Sequence, residues 1–192
     1  MNAVVQSLTE NREFIYRTLL QDEDTNPNRQ WLAKILASWL TGNTVLPDYL
    51  GLDPKQFALM LKSFFAGAVI PVRALSGIKL DYDRMLERED LIKLLQGFSK
   101  DGSQETEWFI GLIVSACLGS DHLWQDLGLW NRSELSALLN YNFPTLAARN
   151  TKDMKWKKFL YKQLCEAEGL YLCRAPSCEV CADYNHCFGP EE

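Results

Sequence analysis

The sequence has no surplus of positive charge and no apolar run long enough to cross a membrane. Its 192 residues carry a formal net charge of −5, which excludes general binding to nucleic acid, because that binding needs lysines and arginines facing phosphates. The longest apolar stretches, around 64–72 and 108–118, fall short of the about 20 residues that a bilayer span requires. The N-terminus also lacks the cationic segment and apolar run of a secretory signal. We therefore expect a soluble, cytoplasmic protein that binds neither nucleic acid nor membranes.

The residues of common catalytic sites are scarce as well. The chain holds only two histidines. We find no glycine-rich nucleotide loop, no HExxH zinc motif and no serine–histidine–acid set in it. An enzyme would therefore have to rely on a bound cofactor for its chemistry, and we predict that the protein is not an enzyme.

Apolar residues repeat at helical spacing along most of the chain. Trp31, Ile35 and Trp39 lie four residues apart on one stripe, as on the buried face of an amphipathic helix. Asp53, which is followed by a proline, and Asn131 each stand where an N-cap would begin a new helix. We find no convincing alternating strand. The pattern therefore predicts an all-α fold.

The helical pattern ends near Gly169. A last helix is predicted over roughly 155–168, and the residues that follow it are rich in cysteine, proline and polar side chains. We predict a single helical domain over residues 1–169. No low-complexity linker follows it, so we expect residues 170–192 to be a cysteine-rich, cluster-binding loop that packs on this domain.

Cysteine is concentrated in this last segment, where four of the six cysteines fall within twenty residues at the spacing Cx4Cx2Cx5C. These four are Cys173, Cys178, Cys181 and Cys187. In a reducing cytosol such a cluster favours a metal site over disulfides, and thiolates suit iron–sulfur clusters, zinc and copper(I). Structural zinc usually takes two closely spaced cysteine pairs. This chain has one such pair, so the spacing favours an iron–sulfur cluster, with zinc as the alternative.

Two residues are candidates for an additional metal ligand. His186 directly precedes the last cysteine of the motif, and Cys165 stands eight residues before the first. An imidazole can bind a metal or donate a hydrogen bond to sulfur. A single helical cysteine is more often a small buried hydrophobe, and for Cys117, inside an apolar run, we expect that role.

Charged residues before the motif have two readings each. A basic run is either the solvated face of a helix or a docking surface for an acidic partner, and it comprises Lys155, Lys157, Lys158 and Lys162. The carboxylates of Asp121 and Asp126 flank a histidine and would be candidates for a second metal site. For them we expect helix capping and surface solvation instead.

Three stretches in the C-terminal half carry a resemblance to a known family. They are ACLGSDHLWQDLGLWNRSELSALL, FPTLAARNTKDMKWKKFLYKQLCEAEG and the cysteine segment ending in CFGPEE, and together they cover most of 116–192. On these residues the chain resembles the NifQ family of nitrogen-fixation proteins. The segments DHLWQDLGL and MKWKKF make the resemblance specific when they are combined with the cysteine spacing.

The resemblance implies a metallochaperone rather than a catalyst. It implies that the four cysteines of the motif bind an iron–sulfur cluster, of the 4Fe–4S type or of a molybdenum-containing MoFe3S4 type. The molybdenum would then be passed on for biosynthesis of the nitrogenase iron–molybdenum cofactor (FeMo-cofactor). The implied partners are the scaffold complex on which that cofactor is assembled and the nitrogenase reductase.

Three other functions compete with this interpretation. A simple iron–sulfur redox or electron-transfer protein would use the same ligands without molybdenum. A zinc-stabilised interaction module would use them for folding alone. Some helical DNA-repair glycosylases end in a similar cysteine loop, but the negative charge and the absence of a glycine-rich helix–hairpin–helix segment disfavour that class.

Overall fold

The computed structural model describes residues 11–20, 25–66, 85 and 87–167 of the chain. Within these ranges the protein is built of α-helices, with one short 3-10 turn at Asp48–Gly51 and no strand, which confirms the predicted all-α class. The predicted cysteine loop and the domain boundary at residue 169 lie outside the described residues. The helices are α1 (Arg12–Leu19), α2 (Pro27–Leu40), α3 (Pro54–Phe64), α4 (Arg88–Gly97), α5 (Gln104–Ala116), α6 (Leu123–Leu127), α7 (Arg132–Asn142), α8 (Pro144–Ala147) and α9 (Trp156–Ala167).

Side-chain caps fix the starts of the predicted helices. The carboxylate of Asp53 accepts a hydrogen bond from the backbone N–H of Lys55 at 2.9 Å, and a proline occupies the first position of α3. The side-chain oxygen of Asn131 accepts from the N–H of Glu134 at 3.0 Å at the start of α7. Each cap satisfies an N–H group that has no partner inside the helix.

Two helices, α2 and α5, supply the centre of the core. Both are buried on nearly every side, as their high apolar content requires. Helix α2 packs against α1 and α7, while α5 packs against α3, α4, α6 and the 3-10 turn. The buried residues of α5 include Trp108, Phe109, Ile110, Leu112 and Ile113.

Helix α9 closes one side of this core. It packs against α4, and its apolar residues Trp156, Phe159, Leu160 and Leu164 are all buried. Its observed bounds agree with the helix that the sequence predicts over roughly 155–168. The last described helix of the chain is therefore attached to the core along its length.

The turn before α3 has an unusual backbone that the sequence does not reveal. Tyr49 and Leu50 both have φ of 57°, and Gly51 has φ of 81°. The left-handed conformation costs a non-glycine residue about 1–2 kcal/mol. Complete burial of Leu50 and the edge contact of Tyr49 with the ring of Phe57 offset this cost.

None of the helices in the described ranges is both long enough and apolar enough to span a membrane.

Candidate functional site

The four predicted cluster ligands, Cys173, Cys178, Cys181 and Cys187, lie outside the described residues, and so does His186. Their role in metal binding stays a prediction. The structure does describe the helix that precedes them, because α9 ends at Ala167, six residues before the first of these cysteines in the sequence.

Cys165 lies in the last turn of α9 and is 6% exposed. This burial agrees with a cysteine that packs as a small apolar side chain. Its predicted role as an additional ligand is not tested by the described part of the chain, since the motif cysteines are not part of it.

Lys157, in the first turn of α9, points into the protein. Its Nζ donates to the carbonyl oxygens of Gly119 and Asp121, at 2.8 Å each, and forms an ion pair with Asp126. These three acceptors match the three hydrogens of an ammonium group. The side chain is only 12% exposed. This lysine is therefore set apart from the others of the predicted docking surface, because its charge is used inside the fold.

Asp126 is the anionic partner of this lysine, and the expectation of surface solvation was wrong for it. Its side chain is 1% exposed. Besides Lys157, Oδ2 accepts from the backbone N–H of Asp121 at 3.1 Å, while Oδ1 is buried and has no hydrogen-bond partner among the described residues. Burial raises the pKa of the Asp126 carboxyl, and the charge and hydrogen bond of Lys157 counteract this rise only in part. A buried charge needs such a partner, because desolvation alone would favour the neutral acid.

A glycine makes room for the buried carboxylate. A Cβ atom added to Gly119 would overlap the carboxylate of Asp126. The backbone can therefore approach the carboxylate closely enough for the Gly119 carbonyl to share the Lys157 ammonium. On the other side, the carbonyl oxygen of Asp126 accepts from the Thr44 hydroxyl at 2.5 Å and from the Val45 N–H at 3.3 Å. We call Gly119, Asp121, Asp126 and Lys157 the buried ion-pair site.

Cys117 lies close to this site at the C-terminal end of α5, and its predicted place in the core is confirmed. Burial raises the pKa of its thiol to about 12. The thiol is therefore neutral at physiological pH, and the thiolate is the form that binds metals. Cys117 is for this reason a poor candidate for a cluster ligand.

The described residues do not form a second metal site. Across 11–20, 25–66, 85 and 87–167, no three or more histidine, cysteine or acidic side chains are grouped so that they could hold a metal ion. Asp121 uses its backbone in the buried ion-pair site, and its own side chain is exposed. Of the surface solvation expected for Asp121 and Asp126, only that of Asp121 is found.

The buried ion-pair site was missed from the sequence because its two charges are 31 residues apart. One local signal was available. Asp126 follows Leu123 by three residues and directly precedes Leu127, both of which are buried, on a helix of five residues. An acid on the apolar side of so short a helix needs a buried cation, and α9 supplies it.

Comparison with known proteins decides the family. The family model described as NifQ matches residues 31–189, which include most of the described helices and all four cysteines of the motif. The chain belongs to the NifQ family. Membership confirms the resemblance carried by the C-terminal segments and places the protein among those involved in nitrogen fixation.

Individual NifQ proteins are similar over nearly the whole chain. Protein NifQ of Azotobacter vinelandii is 43% identical over 176 residues, covering 85% of this chain and 89% of that protein. A NifQ homolog of Sinorhizobium fredii is 38% identical, covering 84% and 70%. Protein NifQ of Klebsiella pneumoniae is 32% identical, covering 84% and 99%. No solved structure matches the chain.

Proposed function

We propose that this NifQ-family protein carries an iron–sulfur cluster and supplies molybdenum for biosynthesis of the nitrogenase iron–molybdenum cofactor. The observation that supports the proposal most strongly is the family match over residues 31–189, which contains the complete Cx4Cx2Cx5C motif. In this function the protein is a cytoplasmic metallochaperone, and it has no catalytic activity of its own.

The donor set suits this cargo. Cys173, Cys178, Cys181 and Cys187 are four thiolate donors within fifteen residues, a number that matches the cysteine ligands of a 4Fe–4S cluster. A MoFe3S4-type cluster on the same cysteines leaves room on molybdenum for a further ligand, because molybdenum takes a higher coordination number than one thiolate supplies. His186 is the first candidate for that ligand, and Cys165, which is buried in the last turn of α9, is the second.

The helix that precedes the motif is firmly held by the core, which suits a protein that presents a cluster to a partner. Helix α9 is attached to the core by its apolar side and by the buried ion pair of Lys157 in its first turn. All four motif cysteines follow the end of this helix. The proposed recipients are the cofactor scaffold complex and the nitrogenase reductase.

Metal analysis of the anaerobically purified protein tests the proposal. Iron, molybdenum and zinc are quantified per chain, together with the visible absorption spectrum. We expect about three or four irons per chain, some molybdenum, and the loss of both in the variant Cys178→Ala/Cys181→Ala. The matched control is Cys117→Ala, which removes a buried thiol outside the motif and should retain the metals.

Two results contradict the carrier function. Iron without molybdenum, from cells grown with molybdate, indicates a simple iron–sulfur redox or electron-transfer protein. Zinc alone in a colourless sample indicates a zinc-stabilised interaction module. The additional ligand is tested separately by His186→Ala and Cys165→Ala, and unchanged molybdenum per chain in both variants excludes these two residues.

A further inference from the structure

The charge of this protein is distributed unevenly. Residues 149–166 contain six cationic and two acidic side chains, a net charge of +4 in a chain of net charge −5, which leaves −9 for all other residues. One of the two acids, Asp153, is bound by Arg132 through both carboxylate oxygens, at 2.6 and 2.8 Å. The basic character of this region is therefore local, and it stands against an acidic background.

The structure places part of this charge on one side of α9. Lys158 and Lys162 lie four residues apart on the same side of α9, and Lys155 directly precedes the first residue of the helix. The apolar residues of α9 point the other way into the core. Lys162 is 50% exposed and forms an ion pair with the equally exposed Glu166 at 3.4 Å, and Lys155 and Lys158 are partly exposed. Such an exposed pair contributes little and can be exchanged for a partner's carboxylate. We call Lys152, Lys155, Lys158 and Lys162 the basic face.

Lys157 does not belong to the basic face. Its ammonium is directed towards Asp126 and two carbonyl groups in the interior. Because its ammonium points inward, Lys157 is not available to a partner that binds on the surface, although it lies within the run KWKK. The structure thus distinguishes Lys157, whose charge stabilises the fold, from Lys162, whose charge lies at the surface.

We propose that the basic face is the docking surface for an acidic protein surface, that of the recipient of the cargo. The inference rests on the proposed carrier function, since a carrier must bind the protein that it supplies. Charge complementarity favours an acidic protein here, because opposite charges steer encounters between proteins and fix their orientation. Lys162 precedes the first motif cysteine by eleven residues, so a recipient bound here contacts the helix that leads directly to the cargo.

Other anionic occupants fit the observations less well. A membrane-binding helix needs an apolar face that can enter the lipid, and the apolar residues of α9 are already buried in the core. A nucleic acid presents a long array of phosphates, whereas the basic face has only four lysines. A protein surface with a small acidic patch matches both the size and the isolation of the basic face.

The test compares two matched double variants of the full-length protein. Lys155→Gln/Lys162→Gln removes two charges from the basic face, and Lys55→Gln/Lys62→Gln removes two exposed lysines of α3 at the same spacing of seven residues. The probe is fluorescently labelled poly-L-glutamate, titrated at low ionic strength, where exposed charges interact most strongly. We expect the basic-face variant to bind about tenfold more weakly, and the α3 variant to change by less than about twofold.

Several results would overturn the inference. Equal weakening in both variants would mean that poly-L-glutamate responds to total charge. Tighter binding of duplex DNA or of phosphatidylserine vesicles than of poly-L-glutamate to the same face would show that its partner is a nucleic acid or a membrane and not an acidic protein. Self-association of the wild type that is lost only in the basic-face variant would assign the face to a second copy.

Metal content measured on the same samples separates this inference from the proposed function. Both double variants should retain the iron and molybdenum of the wild type. A wild type without molybdenum would refute the carrier function, and the binding data would still decide whether the basic face docks an acidic protein.

Discussion

Removing the Lys157 ammonium should strongly destabilise the fold. In Lys157→Met the carboxylate of Asp126 stays 1% exposed and loses its only cationic partner in the buried ion-pair site. Breaking a buried pair in this way costs about 3–5 kcal/mol. Since Lys157 itself is 12% exposed, we expect a value near 3 kcal/mol, a large part of the about 5–15 kcal/mol that a domain has in total. Urea denaturation followed by far-ultraviolet circular dichroism measures the change in free energy of unfolding.

The stability lost in Lys157→Met should depend on pH in a defined direction. Burial raises the pKa of Asp126, and removing Lys157 deletes the interactions that counteract this rise. The folded variant then binds a proton more tightly than the unfolded chain does. Its free energy of unfolding is therefore highest at acidic pH and falls as the pH rises through the raised pKa. The difference between the wild type and Lys157→Met should be smaller at pH 4.5 than at pH 7.5.

Two further variants make this reasoning refutable. Adding Asp126→Asn to Lys157→Met removes the unpaired charge and should recover more than half of the lost stability, with little remaining pH dependence. Lys162→Met, on the exposed side of the same helix, should change stability by less than about 0.5 kcal/mol. A cost below about 1 kcal/mol for Lys157→Met, or a double variant no more stable than the single one, would show that the pair does not hold α9 in place.

Three other predictions follow from buried groups. Gly119→Ala should cost about 1–3 kcal/mol in urea denaturation, because its methyl group would overlap the Asp126 carboxylate; an unchanged midpoint would contradict the close approach. Asn142→Ala should cost about 2 kcal/mol or more, because it breaks the reciprocal buried amide pair with Asn28, at 2.8 and 3.0 Å; Asn140→Ala, on the exposed side, is its control. Cys117 should resist iodoacetamide in the native protein and react after unfolding, because its thiol is buried with a pKa of about 12; mass spectrometry of the alkylated peptide decides this, and rapid native labelling would refute it.

Local sequence signals predicted the longer helices well. The starts of α3 and α7 follow from Asp53 and Asn131, because an N-cap acts within three residues and needs nothing from the rest of the fold. The short helices α6 and α8 were not predicted, since five and four residues are too few for a periodic apolar stripe. The left-handed turn at Tyr49 was also missed, because burial of its neighbour decides that conformation.

The candidate site, too, was predicted from the sequence only in part. The cysteine spacing and the C-terminal segments were sufficient to predict the family, which the match over residues 31–189 confirms. The buried state of Asp126 was not predictable, because desolvation of an acid is tolerated only where a cation meets it in space. Lys157 lies on another helix, and nothing within its own segment distinguishes it from Lys158.

The buried ion-pair site also constrains how this sequence can evolve. Loss of either Lys157 or Asp126 alone leaves a buried charge or a set of carbonyl groups without a partner. Any larger residue at position 119 displaces the carboxylate. Single substitutions at these three positions therefore pass through an unstable intermediate, so the positions should be inherited together or exchanged together. A relative that lacks the lysine is expected to lack the buried aspartate as well.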